Sequence, residues 1–368
     1  MSLYPAARLD SARAACAAAG LDALLLSPGS DLRYLTGYPA LSTERLTLLV
    51  LPVDGPATLI VPRLERPAAE ASPVVDLPMA IVDHPDGADP YPLVAAAAPG
   101  ARTVGLANRM WAEQVLALRA ALPGATQRLA GEVLRDLRLR KSPAEIEALR
   151  RAGAAIDAVH ARMAEWLRPG RTEAEVAADI AAAMRETGHE TVDFTIVASG
   201  PNGASPHHHT SSRVIERGDP VVVDIGGSTA DGYRSDCTRT YVAGGDAPPD
   251  FLAYYDALRE AQLAGVAAVK PGVAASTVDA AGRDLLTAAG FGAEFLHRTG
   301  HGIGLDGHEE PYLVAGNDLP LEPGMAFSIE PGVYRAGRHG ARIEDIVVCT
   351  DDGAQRLNTL PTDLVVLS

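Results

Sequence analysis

Hydrophobic and polar positions follow two different patterns along the chain. In the first third, an alanine-rich segment at residues 8–20 has the spacing of a helix, and short apolar runs separated by Pro and Gly come after it. The runs lie at residues 23–26, 46–51, 58–61 and 74–82. Helix-like and strand-like segments in alternation predict a small α/β domain, which we place at residues 1–130.

A second domain is predicted where a charged helical stretch follows Gly131. The sequence Ser-Pro-Ala-Glu at residues 142–145 is a capping-box pattern, in which the Ser and Glu side chains bond the free N–H groups at a helix start. Residues 172–175 repeat the pattern, and Ser276 begins a weaker version of it. These signals predict three helices in a domain that spans residues 131–368.

Strand-like runs in this second domain come in blocks and do not alternate strictly with the helices. Such segregation is typical of an α+β domain with a mostly antiparallel sheet. The predicted strands are residues 194–198, 221–224, 236–242, 326–330 and 342–348.

Charge and composition exclude several classes of function. The 368 residues include 32 Lys+Arg and 47 Asp+Glu, a net charge of −15, which repels phosphate backbones and anionic lipid. Three scattered cysteines predict neither a disulfide framework nor a Cys-rich zinc site. No uncharged apolar run approaches the ~18 residues that span a bilayer. We therefore expect a cytoplasmic protein without a signal peptide, a membrane anchor or a nucleic-acid partner.

Carboxylates stand where they are costly to bury. Asp224 ends the β-branched run Val221-Val222-Val223 and precedes two glycines, which taken alone is also typical of a turn. Asp236 opens another strand twelve positions later. A hairpin would place the two carboxylates side by side, where they repel unless they share a proton or a cation.

Two further acids and a histidine lie in apolar surroundings. Glu330 ends one predicted strand and Glu344 lies inside another, whereas His301 is flanked by glycines that allow close backbone approach. Glu330 as a turn residue and Glu344 paired with Arg342 are the structural alternatives. Four acids and one histidine together favour a metal site.

At these positions the chain resembles the pita-bread metallopeptidases, specifically their Xaa-Pro branch of prolidases and aminopeptidases P. The resemblance covers about the last 230 residues through five segments in the family's order. It implies an α+β pita-bread (creatinase/aminopeptidase) catalytic domain preceded by a smaller α/β creatinase-like domain. In the family five side chains hold two divalent metals, and the matching positions are Asp224, Asp236, His301, Glu330 and Glu344.

The resemblance also implies the roles of the ligands. Asp236 and Glu344 would bridge the two metals, Asp224 would serve one of them, and His301 with Glu330 would serve the other. The interval from Asp224 to Asp236 is one residue longer than the common family spacing, which predicts a bulged connection at residues 228–235.

Charge balance and ligand type indicate the metals. Four carboxylates neutralise two dications, and an oxygen-rich set with one imidazole favours Mn²⁺ or Co²⁺, with Zn²⁺ as an alternative. Two such ions support hydrolysis by acting on a shared water.

Further positions match family residues that surround the scissile bond. By the resemblance, His207, His297 and His308 face that bond, Glu330 moves a proton to the proline nitrogen, and His207 or His308 stabilises the oxyanion. Arg342 would hydrogen-bond a ligating carboxylate. Tyr334 would line the substrate pocket, although ordinary strand packing explains it equally well. We interpret His208 and His209 as an exposed polar loop.

The resemblance implies small peptide substrates with proline second, a dimer, and a choice between two activities. The amino-terminal domain separates the chain from methionine aminopeptidases, and the complete ligand set separates it from creatinase and from non-catalytic pita-bread binding modules. The segments at residues 43–46 and 308–312 favour a Xaa-Pro dipeptidase over an aminopeptidase P. A dipeptidase needs a cation for the substrate carboxylate. We expect Arg45 in this role, and the alternatives are Arg213, Arg335 and Arg338.

Overall fold

The computed structural model describes residues 3–367, and the chain divides into two compact units after Arg138. The predicted domain boundary after Ala130 precedes the helix Gly131–Leu139, which the structural division leaves almost wholly in the first unit. The boundary after Ala130 stays a prediction.

The first unit is an α/β domain, as its alternating pattern predicts. Its elements are α1 (Ala7–Ala18), β1 (Ala23–Leu26), α2 (Ser30–Thr36), β2 (Leu48–Pro52), β3 (Ala57–Pro62), α3 (Arg66–Glu70), β4 (Met79–His84), α4 (Tyr91–Ala97), β5 (Thr103–Leu106), α5 (Ala112–Ala121), β6 (Thr126–Leu129) and α6 (Gly131–Leu139). The strands form a mixed sheet of the order β4-β3-β2-β1-β5-β6, in which β1–β2 and β2–β3 are antiparallel and the other pairs are parallel.

One strand of this unit is shorter than its apolar run predicts. Residues 74–82 were expected to be extended, but β4 begins only at Met79. The Ser72 hydroxyl accepts a bond from the Val74 N–H and caps a 3₁₀ turn at Pro73–Asp76. A capped turn that begins with proline therefore replaces the first part of the predicted strand.

The helices of the second unit are α7 (Pro143–His160), α8 (Glu173–Glu186), α9 (Pro249–Ala268) and α10 (Ala275–Ala288). Both predicted capping boxes are confirmed, at Ser142 and at Thr172. The third start signal is wrong in detail. Ser276 lies inside α10 and its hydroxyl donates to Asp318 at 3.5 Å, so no side chain caps this helix. Within residues 3–367, none of the helices combines the length and apolarity that crossing a bilayer requires.

Antiparallel pairing dominates the strands of the second unit, as predicted. The strands are β7 (His189–Ser199), β8 (Asp219–Thr229), β9 (Arg234–Ala243), β10 (Gly300–Gly302), β11 (Glu309–Leu313), β12 (Ala326–Ile329), β13 (Gly332–Arg335), β14 (His339–Arg342), β15 (Asp345–Thr350), β16 (Gly353–Arg356) and β17 (Val365–Leu367). They form two sheets of the orders β17-β9-β8-β7 and β11-β10-β12-β15-β16, and β13 and β14 form a separate hairpin. Within the described residues of this unit, only β17 pairs parallel to its neighbour.

Two departures from the predicted strands bear on the site. The run 342–348 is not one strand, because β14 ends at Arg342 and β15 begins at Asp345, and the Glu344 N–H instead donates to the Thr238 carbonyl at 3.1 Å. The predicted bulge between Asp224 and Asp236 is also wrong. The register of β8 with β9 is continuous, and their connection is the turn at residues 230–233. The register shifts of this sheet lie between β7 and β8.

Apolar side chains of the helices fix these strands from behind. Ile156 of α7 and Ile180 of α8 pack in one buried cluster with Val223 of β8. Val278 of α10 packs with Phe327 of β12 in a second cluster. The strands that carry the acids are thus held by the burial of their apolar neighbours.

Candidate metal centre

Five side chains from separate strand ends meet in the second unit. Asp224 lies on β8, Asp236 on β9 and His301 on β10, whereas Glu330 follows β12 directly and Glu344 occupies the break before β15. Ligand atoms of Asp224, Asp236 and Glu344 all lie within 4.8 Å of one another, and so do those of His301, Glu330 and Glu344. The structure therefore brings together every residue that the sequence proposes as a ligand.

The pairing of β8 with β9 determines the relative positions of Asp224 and Asp236. Gly226 lies opposite Asp236, and Asp224 lies opposite Thr238. Residues two apart on a strand share a face, so both carboxylates project to the same side of the sheet. They are diagonal neighbours, and not the directly facing pair that a simple hairpin suggests.

His301 is placed by the glycines on either side of it. A Cβ at Gly300 would collide with the Ser328 carbonyl, and one at Gly302 would collide with the Glu310 carbonyl. The ring Nδ1–H donates to the Gly302 carbonyl at 3.1 Å. The ring Nε2 then lies 3.2 Å from Glu330 Oε1 and 3.8 Å from Asp236 Oδ2. A backbone carbonyl on one ring nitrogen orients the other as a metal ligand.

The electrostatics of the cluster show that its charges are not balanced by protein groups alone. Burial, together with the neighbouring carboxylates, raises the pKa of Asp236 and of Glu344 well above the ordinary range. The pKa of Glu330 is instead lowered to about 2. Burial alone would raise it, but the hydrogen bond and the charge of His301 outweigh the effect of burial. Carboxylates this close hold protons unless a cation is supplied.

The donor atoms fit divalent ions. Asp224 Oδ2 accepts from Arg342 at 2.5 Å, whereas the buried Asp224 Oδ1 has no hydrogen-bond partner among the described residues. Glu344 Oε2 accepts from the Thr238 hydroxyl at 2.7 Å, which orients this carboxylate through one oxygen. An uncompensated buried oxygen is costly, and a metal ion would satisfy it.

A chain of hydrogen bonds runs from the acids to His297. Arg342, which binds Asp224, also donates to the Tyr334 hydroxyl at 2.7 Å. The Tyr334 hydroxyl lies 2.8 Å from His297 Nε2, and His297 Nδ1 lies 2.7 Å from the Arg298 carbonyl. Burial raises the pKa of Tyr334 to about 12, so its hydroxyl keeps the proton that it donates to His297. Both ring nitrogens of His297 thus have protein partners.

His308 lies against the metal ligands. Its ring centroid is 3.8 Å from that of His301, and its Nδ1 lies 3.3 Å from Arg298 Nη2. His308 is exposed at the surface, but partial desolvation and the charges of His301 and Arg298 lower its pKa to about 4. Because a guanidinium only donates, Nδ1 is the acceptor and the proton of the neutral ring is on Nε2. His207 is exposed, and its charge contributes to lowering the pKa of His297 and of His308.

One buried carboxylate near this site was missed by the sequence reasoning. Glu173, the first residue of α8, is 0% exposed and accepts six hydrogen bonds from the segment that carries His207. The capping-box pattern at residues 172–175 involves Glu175 and gives no indication that Glu173 is buried. One donor is His208, so the interpretation of His208 as exposed was wrong. The donors are the N–H and hydroxyl of Ser199, the Asn202 amide, His208 Nε2, and the N–H and hydroxyl of Ser211.

Each arginine proposed for the substrate carboxylate already has an acidic partner. Arg45, in the first unit, binds Asp86 at 2.9 Å and Glu44 at 2.6 Å. The other three lie in the second unit: Arg213 pairs with Asp219 at 2.5 Å, and Arg335 and Arg338 pair with Asp250 at 3.0 and 2.7 Å.

Comparison with known proteins extends these findings to both parts of the chain. Residues 147–351 match Metallopeptidase family M24, and residues 8–140 match the Creatinase/Prolidase N-terminal domain. The chain is 54% identical to the probable dipeptidase PepE of Mycobacterium bovis, over 98% of this chain and 96% of that protein. It is 35% identical to the Xaa-Pro dipeptidase of Lactobacillus helveticus, over 94% and 95%. The crystal structure of dipeptidase PepE from Mycobacterium ulcerans matches with a TM-score of 0.92 and 55% identity, over 98% and 97%.

Proposed function

This chain belongs to metallopeptidase family M24, and we propose that it hydrolyses the Xaa-Pro bond of dipeptides. The predicted fold, a pita-bread catalytic domain with a creatinase-like N-terminal domain, is confirmed by both domain matches and by the solved structures. The observation that carries the proposal is the complete set of four carboxylates and one imidazole. The names of the relatives favour a dipeptidase.

The ligand positions support two divalent ions, which is the dinuclear metal dependence of the family. Asp236 and Glu344 would be shared between the ions, Asp224 would bind one of them, and His301 with Glu330 would bind the other. Bound there, the ions would polarise the substrate carbonyl and lower the pKa of water. The oxygen-rich donor set favours Mn²⁺ or Co²⁺.

The protein groups around the ligands would guide protons and charge. A Xaa-Pro bond is a tertiary amide, so its nitrogen has to gain a proton before it leaves. Glu330 is ionised and would take a proton and deliver it to that nitrogen. His308 is neutral with its proton on Nε2, and it would donate a hydrogen bond to the developing oxyanion, as would His207. Arg342, Tyr334 and His297 form the chain that orients Asp224.

The dipeptidase proposal predicts a strong preference for short substrates. Mn²⁺-loaded protein should cleave a Xaa-Pro dipeptide at least tenfold more efficiently than the matching Xaa-Pro-Xaa tripeptide, since one missing charged hydrogen bond costs about 1.5 kcal/mol or more. The measurement is kcat/KM for both peptides in one preparation. Preferential tripeptide cleavage would instead make the chain an aminopeptidase P, and cleavage of neither would indicate a binding module.

Metal removal should affect activity and stability together. Chelation should abolish cleavage and lower the melting temperature, because the buried carboxylates then repel one another. Mn²⁺ or Co²⁺ should restore both, since a ligand that binds only the folded state stabilises it by about 2.7 kcal/mol at 100 times its dissociation constant. Elemental analysis should count two ions per chain. Turnover and melting that resist chelation would contradict a dinuclear site.

The family resemblance further supports a homodimer, and three buried free cysteines support a reducing compartment such as the cytoplasm. Analytical sedimentation of the purified chain tests whether it forms a homodimer.

A further inference from the structure

Among the described residues, Arg298 is an arginine near the site that has no acidic partner. In a chain with a net charge of −15, each of the four candidates for the substrate carboxylate has an acidic partner. Arg298 forms no ion pair with a carboxylate of the described residues, although it lies three positions before the ligand His301. A cation that the protein leaves unpaired beside a metal cluster is available to a substrate anion.

The surroundings of Arg298 fix its guanidinium. Nη2 donates to His308 Nδ1 at 3.3 Å, and Cζ lies 4.3 Å from the centroid of the Tyr312 ring. Stacking on an aromatic face fixes the plane and leaves the edge of the fork open. Among residues 3–367, the other N–H groups of this side chain have no acceptor, so they remain available for a bidentate bond.

The distance from the metal ligands suits a short substrate. The guanidinium lies 3.3 Å from His308 Nδ1, and the His308 ring centroid lies 3.8 Å from that of His301. In a Xaa-Pro dipeptide the terminal carboxylate lies one residue, about 3.5 Å, beyond the scissile carbonyl. An anion at that separation from the metal cluster is within reach of Arg298.

We propose that Arg298 binds the terminal carboxylate of the dipeptide and thereby selects dipeptides over longer peptides. This inference rests on the proposed Xaa-Pro hydrolysis. A longer peptide presents a neutral amide at the same place and leaves the guanidinium without its anion. His308 would then contact both the oxyanion and the carboxylate-binding arginine, which couples recognition to catalysis.

The test compares a Xaa-Pro dipeptide with its carboxamide, which removes the negative charge and keeps the size. Arg298→Gln should lower kcat/KM for the free acid by roughly 10- to 100-fold and lower it far less for the amide, so the ratio of the two falls by at least tenfold. Arg298→Lys should restore part of the ratio, because it keeps the charge but not the fork. The matched control is Arg185→Gln, an exposed arginine that bonds the Ala181 carbonyl of its own helix.

A binding measurement separates recognition from catalysis. Calorimetry of metal-free protein with proline and with prolinamide should show a preference for proline that Arg298→Gln removes. In the kinetic test, an equal loss of kcat/KM for the dipeptide and for its carboxamide would overturn the inference, because Arg298 would then act only by orienting His308. If Arg298→Gln leaves the acid-to-amide ratio of kcat/KM unchanged while Arg45→Ala collapses it, the inference would be overturned in favour of Arg45. If the wild-type protein cleaves neither substrate, the proposed function itself is wrong.

Discussion

Replacing Asp236 by asparagine should abolish peptide hydrolysis and at the same time raise the melting temperature of the metal-free protein by several degrees. Asp236 lies with Asp224 and Glu344 in one ligand group and with His301 in another. Its loss therefore disturbs both metal positions. A metal that stabilises the transition state contributes several kcal/mol, so we expect a fall in kcat of roughly a thousandfold or more.

The gain in stability has a definite dependence on pH. Burial and Asp224 raise the folded-state pKa of Asp236 well above its value of 3.8 in an unfolded chain. An acid with a raised pKa destabilises the folded state at every pH above the unfolded value, because the unfolded chain releases the proton more readily. The advantage of Asp236→Asn in metal-free protein should therefore be large at pH 7 and disappear near pH 4.

Asp256→Asn is the matched control, since it removes one negative charge from an exposed position on α9. It should change neither turnover nor melting. Differential scanning calorimetry of the chelated proteins provides the comparison. A lower melting temperature for metal-free Asp236→Asn than for wild type would contradict the view that the carboxylates repel one another.

Replacing Glu173 by alanine should cost roughly 3–5 kcal/mol of folding free energy, the range measured when one partner of a buried charged network is removed. Six donors would lose their acceptor, and several of them lie on the buried Ser199 and the partly buried Ser211. Glu175→Ala is the control in the same helical turn. It removes half of a capping box and should cost about 1 kcal/mol. Urea unfolding followed by circular dichroism measures both.

Lowering the pH should remove the contribution of the Glu173 carboxylate to the free energy of unfolding. Burial raises the pKa of Glu173, but bonds from Ser211, Ser199 and Asn202 outweigh it and lower the pKa to about 2. A lowered acid pKa gives stability that is complete above the unfolded value of about 4.5 and is lost as the pH falls towards 2. In Glu173→Gln this part of the acid sensitivity should vanish. An equal acid response in the two proteins would show that the carboxylate charge does not hold the segment.

The metal centre was predictable from sequence because its residues interrupt apolar runs. An acid after Val221-Val222-Val223 conflicts with the burial of its strand, and the glycines around His301 show that backbones pass close by. The break at Ile343 and Glu344 was not predictable, because residues 342–348 are apolar enough for one continuous strand. Their division depends on pairing with two different neighbours, which is a tertiary effect.

Glu173 and Arg298 show a different limit of sequence reasoning. A glutamate in the first turn of a helix is ordinary, and nothing in residues 172–175 indicates that its partners come from a loop more than twenty residues later. That Arg298 has no acidic partner within residues 3–367 also appears only when the neighbouring charges have been placed. Local pattern predicts elements and motifs, whereas charge pairing depends on the assembled fold.

The scattered origin of the ligands has a consequence for folding. The five side chains come from residues 224 to 344, on or directly beside strands of two different sheets, so only a segment that spans at least these residues contains the whole set. Contacts of such long sequence separation form late, after most of the loop-closure entropy has been lost. A partly folded or internally cleaved chain should therefore bind metal weakly, and tight loading would serve as a signal that the whole catalytic unit has been completed.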